Sequence, residues 1–137
     1  MSESRNNQVI LVTGAAKRIG CEIINVFHSR NFNVIIHYNK SAAEANRLYE
    51  NLNEKRSKSA FLVQGDLNEL ISIKRIITLI DSIGRLDVLV NNASSFYPTM
   101  LETADESDWN DLINSNLKGP FFLSKKLAPF LKKSRGS

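Results

Sequence analysis

The chain has 137 residues, of which 42% are hydrophobic and 23% are charged, and its formal net charge is +4. This composition is typical of one folded domain and excludes a mainly disordered chain. The positive charge is modest and much of it lies near the C-terminus, which favours a solvated helix face over a nucleic-acid surface.

The sequence also indicates a cytoplasmic protein. The first residues, MSESRNNQ, are polar and lack the apolar centre of a signal peptide. The longest apolar runs, such as VIIHY and IITLI, are too short to cross a bilayer, so no membrane contact is expected. The single cysteine, Cys21, cannot form an internal disulfide, and we expect it to be buried in a helix rather than to bind a metal.

Apolar strand-like segments alternate with amphipathic segments in chain order. Strands are predicted over 8–13, 33–38, 60–64 and 86–90, and helices over 17–30, from Ser41 onwards, and over 68–83. Ser41 and Glu44 have the spacing of a capping box. The predicted inner helix positions are Ile19, Ile23, Val26 and Phe27, then Ala45, Leu48 and Leu52, then Leu70, Ile73, Ile77 and Ile80.

This alternation predicts an α/β fold, namely a Rossmann-like, doubly wound parallel sheet in a three-layer α/β/α arrangement. Right-handed crossovers favour the strand order 3-2-1-4, and we expect residues 1–137 to form one, incomplete domain. Ligands of such sheets bind at the carboxyl ends of the strands, beside the point where the strand order reverses. The segments that follow the four strands are therefore the candidate site.

Residues 91–109 are irregular, and a long helical region is predicted from near Asp105. Pro120 lies within that helical pattern and predicts a kink or break near Asn116. The final segment is apolar on more than one face. It therefore packs either on the domain's own core or on a partner helix, and the sequence does not choose between them.

The stretch TGAAKRIG, residues 13–20, joins the first strand to the first helix. Backbone N–H groups at the start of a helix attract anions, so this turn is a candidate phosphate site. Gly14 allows a tight turn and Gly20 allows the helix to approach the strand, while Arg18 occupies a position where many such turns have glycine. The second strand ends in residues 37–41 without the acidic residue that usually binds a free ribose 2′-hydroxyl. Arg18, Lys40 and Ser41 suit a 2′-phosphate instead, unless the two cations are only surface charges.

Four features together resemble the short-chain dehydrogenase/reductase family: TGAAKRIG, the DL pair at 66–67, NNAS at 91–94 and Asn116. Within that family, TGAAKRIG with its arginine, HYNKSAAEA at 37–45 and NNASSFYPT at 91–99 look most like pteridine reductases.

The resemblance implies the cofactor NADPH/NADP. The residues implied to bind it are Gly14, Arg18, Ile19, His37, Tyr38, Asn39, Lys40, Ser41, Asp66, Leu67, Asn92, Ala93 and Ser94. Ser94 and Phe96 are implied to contact a pterin or folate-like substrate, and Asn116 to be a catalytic residue. Asp66 also has a structural alternative as a helix cap, and Phe96 as a core residue. The family further implies a homo-oligomer, a dimer or tetramer.

The family's catalytic Tyr–Lys pair, four residues apart, is not found in this chain. Four residues after Tyr38, Tyr49 and Tyr97 stand Ala42, Asn53 and Leu101. We therefore interpret the chain as the cofactor-binding half of such an enzyme, truncated after the fourth strand and its long helix, and expect it to be inactive alone. The fourth strand should be left as an open apolar edge. Two alternatives remain: a reductase of another carbonyl substrate, such as a 3-oxoacyl group or a sugar, and a non-catalytic nucleotide-binding module that pairs with a separate second half.

Overall fold

The computed structural model describes residues 8–137 and confirms the predicted α/β architecture. Its strands are β1 (Val9–Val12), β2 (Asn33–Tyr38), β3 (Ala60–Gln64) and β4 (Val88–Val90). Its helices are α1 (Arg18–Ser29), α2 (Ala42–Lys55), α3 (Leu70–Ile83), α4 (Glu106–Ile113) and α5 (Gly119–Ser134). All strand pairs are parallel, and the order is β3-β2-β1-β4, as the crossover rule predicted.

The core lies on both faces of the sheet, which makes the domain three-layered. Val9 and Leu11 of β1 belong to the cluster formed with α3 and α5, whereas Ile10 and Val12 belong to the cluster formed with α1 and α2. Every residue of β1 is buried because helices cover the strand on both sides. The sequence VILV therefore has no polar alternation.

The predicted inner faces of two helices are partly wrong. Ile19 and Val26 of α1 are 70% and 45% exposed, and Leu70 at the start of α3 is also exposed. The face of α1 that meets the sheet contains Gly20, Ile24 and His28 instead. A Cβ on Gly20 would lie 2.5 Å from the Gly14 carbonyl oxygen, so the close approach at Gly20 sets the rotation of the helix. Because α1 is apolar on several sides, its periodicity could not identify the buried one.

Two local predictions around α1 and α2 are also corrected. The Ser41 side chain makes no capping bond, and Glu44 lies 3.9 Å from the Lys17 ammonium instead. Cys21 is only half-buried, and the Asn25 amide donates to its sulfur at 3.6 Å. Burial, assisted by the Glu22 carboxylate, raises the pKa of the Cys21 thiol.

The irregularity predicted near Asn116 is present as a π-helical turn, Asn114–Lys118, between α4 and α5. Pro120 is the second residue of α5, so it lies directly after the turn in which the helical hydrogen-bond pattern changes. The preceding helix α4 begins with a capping box in which Asp105 and Asp108 exchange side-chain-to-backbone hydrogen bonds. None of the described helices has both the length and the hydropathy required to span a membrane.

The outer edge of β4 is not fully open, which corrects the expectation from sequence. The Ser137 N–H donates to the Asp87 carbonyl at 2.9 Å, and the Ser137 carbonyl accepts from the Leu89 N–H at 2.9 Å. This is the bonding pattern of a parallel neighbour, so Ser137 lies opposite Val88 in the register of a further strand.

Candidate functional site

A cleft of about 660 Å³ lies at the carboxyl ends of the strands, beside the point where the strand order reverses. We call it the central cleft. Every residue that the resemblance assigned to a cofactor lines it. The other predicted site residues, Phe96 and Asn116, are not part of its lining. Sequence reasoning missed seven further lining residues: Ala16, Lys17, Gly65, Asn68, Ser95, Asp111 and Ser115.

Two close contacts explain the glycines of the turn between β1 and α1. Gly14 has a φ of 60°, and a Cβ there would lie 2.9 Å from the Ala93 Cα. A Cβ on Gly20 would lie 2.6 Å from the side-chain nitrogen of Asn92, in addition to its contact with the Gly14 carbonyl. The turn is therefore pressed against the segment that follows β4, and neither glycine has room for a side chain.

Arg18 occupies the first position of α1 with a φ of 52°. This left-handed conformation is uncommon for a residue other than glycine and costs of order 1 kcal/mol or more. The side chain is exposed and lines the central cleft. A strained arginine at a cleft suggests that its cation is used there, since glycine would adopt the same backbone without strain.

Polar contacts from the segment directly after β4 hold Thr13 and the carbonyls of the turn. The Thr13 hydroxyl accepts from the backbone N–H groups of Asn92 and Ala93 at 3.0 and 2.9 Å. The Asn92 side-chain amide donates to the carbonyls of Thr13 and Gly14, both at 3.0 Å. Asn92 therefore shapes the turn with its side chain, a role that its position after β4 alone did not reveal.

His37 holds the amide side of the same turn from β2. Its ring is 2% exposed, accepts from the Gly14 N–H at Nδ1 (3.2 Å) and meets the Gly65 carbonyl at Nε2 (2.9 Å). Because a carbonyl only accepts, the two partners define the neutral tautomer with its proton on Nε2. Burial lowers the pKa of His37, while the Gly65 bond and the charge of Asp66 act in the opposite direction.

The end of β2 and the residues directly after it carry one cation, Lys40, and the hydroxyls of Tyr38 and Ser41. Tyr38, Asn39, Lys40 and Ser41 all line the cleft, and no carboxylate occurs among residues 37–41. The nearest acid along the chain, Glu44, lies beside Lys17. This donor set, together with Arg18, fits a phosphate monoester better than a bare ribose hydroxyl.

Asp66 and Leu67 follow β3 in different environments. The Asp66 carboxylate accepts from the Asn68 N–H at 2.9 Å, which forms a local turn. The suggestion that Asp66 caps the next helix is wrong, because α3 begins at Leu70 and Glu69 occupies the cap position. The Leu67 side chain belongs to the core and leaves its backbone at the cleft.

Asn116 joins the π-helical turn to the segment after β4. Its Oδ1 accepts from the Ser95 N–H at 3.1 Å, and its Nδ2 donates to the Ser95 carbonyl at 2.6 Å and the Leu112 carbonyl at 3.0 Å. Both backbone groups of Ser95 are thus fixed by one side chain. The neighbouring Phe96 is 89% exposed, which excludes the core alternative for that ring.

Tyr97 does not resemble an activated catalytic phenol. Partial desolvation and the nearby carboxylates of Asp108 and Asp111 raise the pKa of Tyr97 to about 12. A general acid works best with a pKa near the operating pH, so this phenol is poorly suited to give up its proton. Within residues 8–137, no cluster of three or more His, Cys, Asp or Glu side chains could hold a metal ion.

The switch-point cleft, with a glycine-containing turn before α1, defines a nucleotide-binding α/β protein of the Rossmann class. The family follows from comparison with known sequences. The short chain dehydrogenase family model matches residues 8–137, and the chain belongs to that family.

Two relatives and one solved structure show how far the similarity extends. Pteridine reductase 1 of Leishmania tarentolae is 38% identical over 93% of this chain and 55% of its own length. The 3-oxoacyl-[acyl-carrier-protein] reductase FabG of Staphylococcus epidermidis is 32% identical over 94% of this chain and 53% of its own. The FolM alternative dihydrofolate reductase 1 of Brucella suis, solved in complex with NADP, superposes with a TM-score of 0.81 at 32% identity, over 90% of this chain and 51% of the other. The chain thus spans about half the length of these relatives.

Proposed function

We propose that this chain is the cofactor-binding half of an NADPH-dependent reductase of the pteridine-reductase type. The observation that carries the proposal is the position of Arg18, Lys40 and Ser41 on one cleft whose β2 end lacks a carboxylate. Those groups suit the 2′-phosphate that distinguishes NADPH from NADH. The NADP complex of the FolM relative supports the same cofactor.

Each part of the central cleft has a role in binding. The first turn of α1 offers N–H groups and the positive end of a helix dipole to the pyrophosphate. Asp66 and the Leu67 backbone would meet the adenine, and Asn92, Ala93 and Ser94 would line the ribose and nicotinamide side. The bound cofactor supplies hydride, while the chain's own residues bind and orient it.

The substrate we propose is a pterin or folate-like ring. Phe96 presents an exposed aromatic face next to Ser94, and stacking of a flat heteroaromatic ring would cover that apolar surface. Asn116 fixes the Ser95 backbone between them, so the two substrate contacts would keep their spacing. The 38% identity to a pteridine reductase favours this substrate class.

We also propose that residues 1–137 alone do not catalyse reduction. None of the three tyrosines has a lysine four residues on, and Tyr97 holds its proton too strongly to replace an activated phenol. Turnover would then require a second half that carries the Tyr–Lys pair. The cytoplasm is the proposed location because the chain has a single thiol and no disulfide, and a homo-oligomer is the proposed state of the active enzyme.

A different carbonyl substrate is the second candidate. FabG of S. epidermidis matches this chain over a similar share at 32% identity, so a 3-oxoacyl reductase is supported by the same fold. The exposed Phe96 favours an aromatic substrate, because a planar ring gains stacking there in addition to the apolar burial that an acyl chain would also gain.

The test uses the protein purified from its source cells. Its intact mass is measured first and compared with 15.4 kDa. NADPH oxidation is then followed with dihydrobiopterin, dihydrofolate and a 3-oxoacyl thioester. Preference for the pterins supports the proposal, and preference for the thioester supports the second candidate. A 15.4 kDa protein that binds NADPH and turns over nothing would support a non-catalytic module.

A further inference from the structure

His37 connects three segments of the central cleft, although its ring is almost inaccessible. The ring accepts from the Gly14 N–H on one side and donates to the Gly65 carbonyl on the other. The His37 backbone carbonyl also accepts from the Ala15 N–H at 2.8 Å. One residue of β2 thus takes two successive N–H groups of the β1–α1 turn.

These bonds determine which N–H groups remain for a phosphate. Those of Gly14 and Ala15 are directed at His37, so they are not available to an anion. The first N–H groups of α1, from Arg18 to Gly20, have no helical carbonyl to bond. The direction in which they point depends on the turn before them. The carbonyls of that turn are held by Asn92 and its N–H groups by His37.

We infer that His37 is a positioning residue for the dinucleotide, which acts through the Gly14 N–H and only in its neutral form with the proton on Nε2. This inference rests on the proposed NADP(H) site and adds to it a residue that shapes the site without touching the phosphate. A proton on Nδ1 would place two donors against each other at the 3.2 Å separation of Nδ1 and the Gly14 nitrogen. The turn would then have to move, and the first turn of α1 with it.

The charges around the cleft show what controls the protonation of this ring. Asp66, after β3, is the charged group that favours the protonated form, and burial opposes it more strongly. The other charged groups that line the cleft are Lys17, Arg18 and Lys40 on the cationic side and Asp111 on α4. Within the cleft the neutral ring is therefore maintained mainly by burial.

Two substitutions at position 37 each keep one of the two hydrogen bonds of the ring and remove the other. His37→Asn can place an amide oxygen near the Nδ1 position, which keeps an acceptor for Gly14 and loses the donor to Gly65. His37→Gln can place an amide nitrogen near the Nε2 position, which keeps the Gly65 bond and loses the Gly14 bond. We expect the Kd for NADP⁺ at pH 7.5 to stay within about threefold for His37→Asn and to rise roughly tenfold for His37→Gln, as the loss of one hydrogen bond implies.

The pH profile supplies a readout that a purely structural role would not move. The phosphate monoester of the cofactor itself titrates near pH 6. The informative quantity is therefore the ratio of the wild-type Kd to the His37→Asn Kd at each pH. We expect this ratio to be constant above about pH 6.5 and to rise as the pH falls, because only wild type has a ring that can be protonated. NADP⁺ is used because the reduced cofactor decomposes in acid.

His28 provides the matched control. It is a second buried histidine, with Nε2 2.7 Å from the Ser59 hydroxyl, and it does not line the central cleft. His28→Asn should lower the melting temperature and leave the NADP⁺ Kd unchanged. Equal Kd values for His37→Asn and His37→Gln, or Kd changes that simply follow melting temperature across all three variants, would overturn the inference. If wild type itself fails to bind NADP⁺, the proposed function is contradicted as well. If wild type binds NADP⁺ and the two His37 variants have equal Kd values, only the role assigned to His37 is contradicted.

Discussion

The two sides of the central cleft are built differently. At the turn before α1, Thr13, His37 and Asn92, which follows β4, make hydrogen bonds of 2.9 to 3.2 Å. On the side of residues 94–101, Asn116 bonds to the Ser95 backbone, and the Tyr97 phenol lies beside the carboxylates of Asp108 and Asp111. Phe96 and Leu101 there are 89% and 92% exposed.

This difference separates two requirements of the proposed enzyme. A dinucleotide is bound mainly by backbone N–H groups, so its site needs a rigid turn, which β1, β2 and the residues directly after β4 hold in place here. A planar substrate needs an apolar enclosure that excludes water. In residues 94–101 the chain provides an exposed aromatic face and one anchored backbone, but not an enclosure. If rigidity and binding are concentrated at the turn before α1, substitutions there should weaken NADP⁺ binding more than substitutions near residues 94–101.

Gly20→Ala should have the largest effect. The new methyl group would lie 2.5 Å from the Gly14 oxygen and 2.6 Å from the Asn92 amide, so α1 or the turn must shift. We expect a loss of about 3 kcal/mol in the free energy of unfolding, measured in urea, and no detectable NADP⁺ binding by calorimetry.

Gly84→Ala is the control for that result. Gly84 has a φ of 83°, and a Cβ added there would meet no neighbouring atom within 4 Å, so its substitution tests backbone strain without a steric clash. It should cost about 1 kcal/mol and leave NADP⁺ binding intact. Equal losses for both variants would show that the approach of α1 to β1 is not tight.

Asn116→Ala should loosen the second side and spare the first. It removes both bonds to Ser95 and should cost about 1–2 kcal/mol of stability. Hydrogen exchange of the Ser95 amide should accelerate roughly tenfold or more, with less than about a twofold change in the NADP⁺ Kd. Ser115→Ala is the matched variant, since the Ser115 hydroxyl bonds only to carbonyls of the preceding turn. Similar Ser95 exchange in the two variants would contradict the role assigned to Asn116.

Acid should weaken the fold through its two buried histidines. Burial lowers the pKa of both histidines below 6.5. The positive charges of Arg56 and Lys55 lower the pKa of His28 further. The unfolded chain therefore binds more protons than the folded one, and stability falls as the pH drops below about 6.5. The urea midpoint should decrease more between pH 7.5 and 5.5 for wild type than for the double variant His28→Asn, His37→Asn. A parallel decrease in both proteins would exclude this contribution.

Arg18→Gly should give only a small change in stability, and it should be a gain. Glycine adopts a φ of 52° without strain, so relief of the left-handed arginine should add about 1 kcal/mol to the free energy of unfolding. Thermal melting measures the gain, with Lys40→Ala as a surface-cation control that should leave stability unchanged. A destabilised Arg18→Gly would mean that the arginine contributes packing which outweighs its strain.

The sequence predicted the sheet and the location of the cleft because each depends on local signals. Short apolar runs specify the strands, and the crossover rule orders them. The face of α1 was predicted wrongly, since Ile19 and Val26 belong to an apolar flank that the close contact at Gly20 turns outwards. The Ser41 cap was wrong for a related reason: Glu44 has an alternative partner in Lys17, from a distant turn.

The internal bonding of the site was beyond sequence reasoning. That Asn92 and His37 bind the turn from opposite sides depends on side-chain directions that only the assembled sheet defines. Gly65 could have been found from its position directly after β3, as the carboxyl ends of parallel strands share one edge. Asp111 and Ser115 could not, because their place at the cleft depends on the tertiary position of α4 and the π-helical turn, which no local pattern defines.

The most direct test of the central claim is a calorimetric titration of the wild-type chain with NADPH and with NADH, repeated for Arg18→Gly. We predict that wild type binds NADPH roughly tenfold or more tightly than NADH, in line with the loss of charge-assisted hydrogen bonds to the 2′-phosphate. Arg18→Gly should lose most of that preference while its affinity for NADH is retained. Equal affinity of wild type for both cofactors, or an undiminished NADPH preference in Arg18→Gly, would contradict the account.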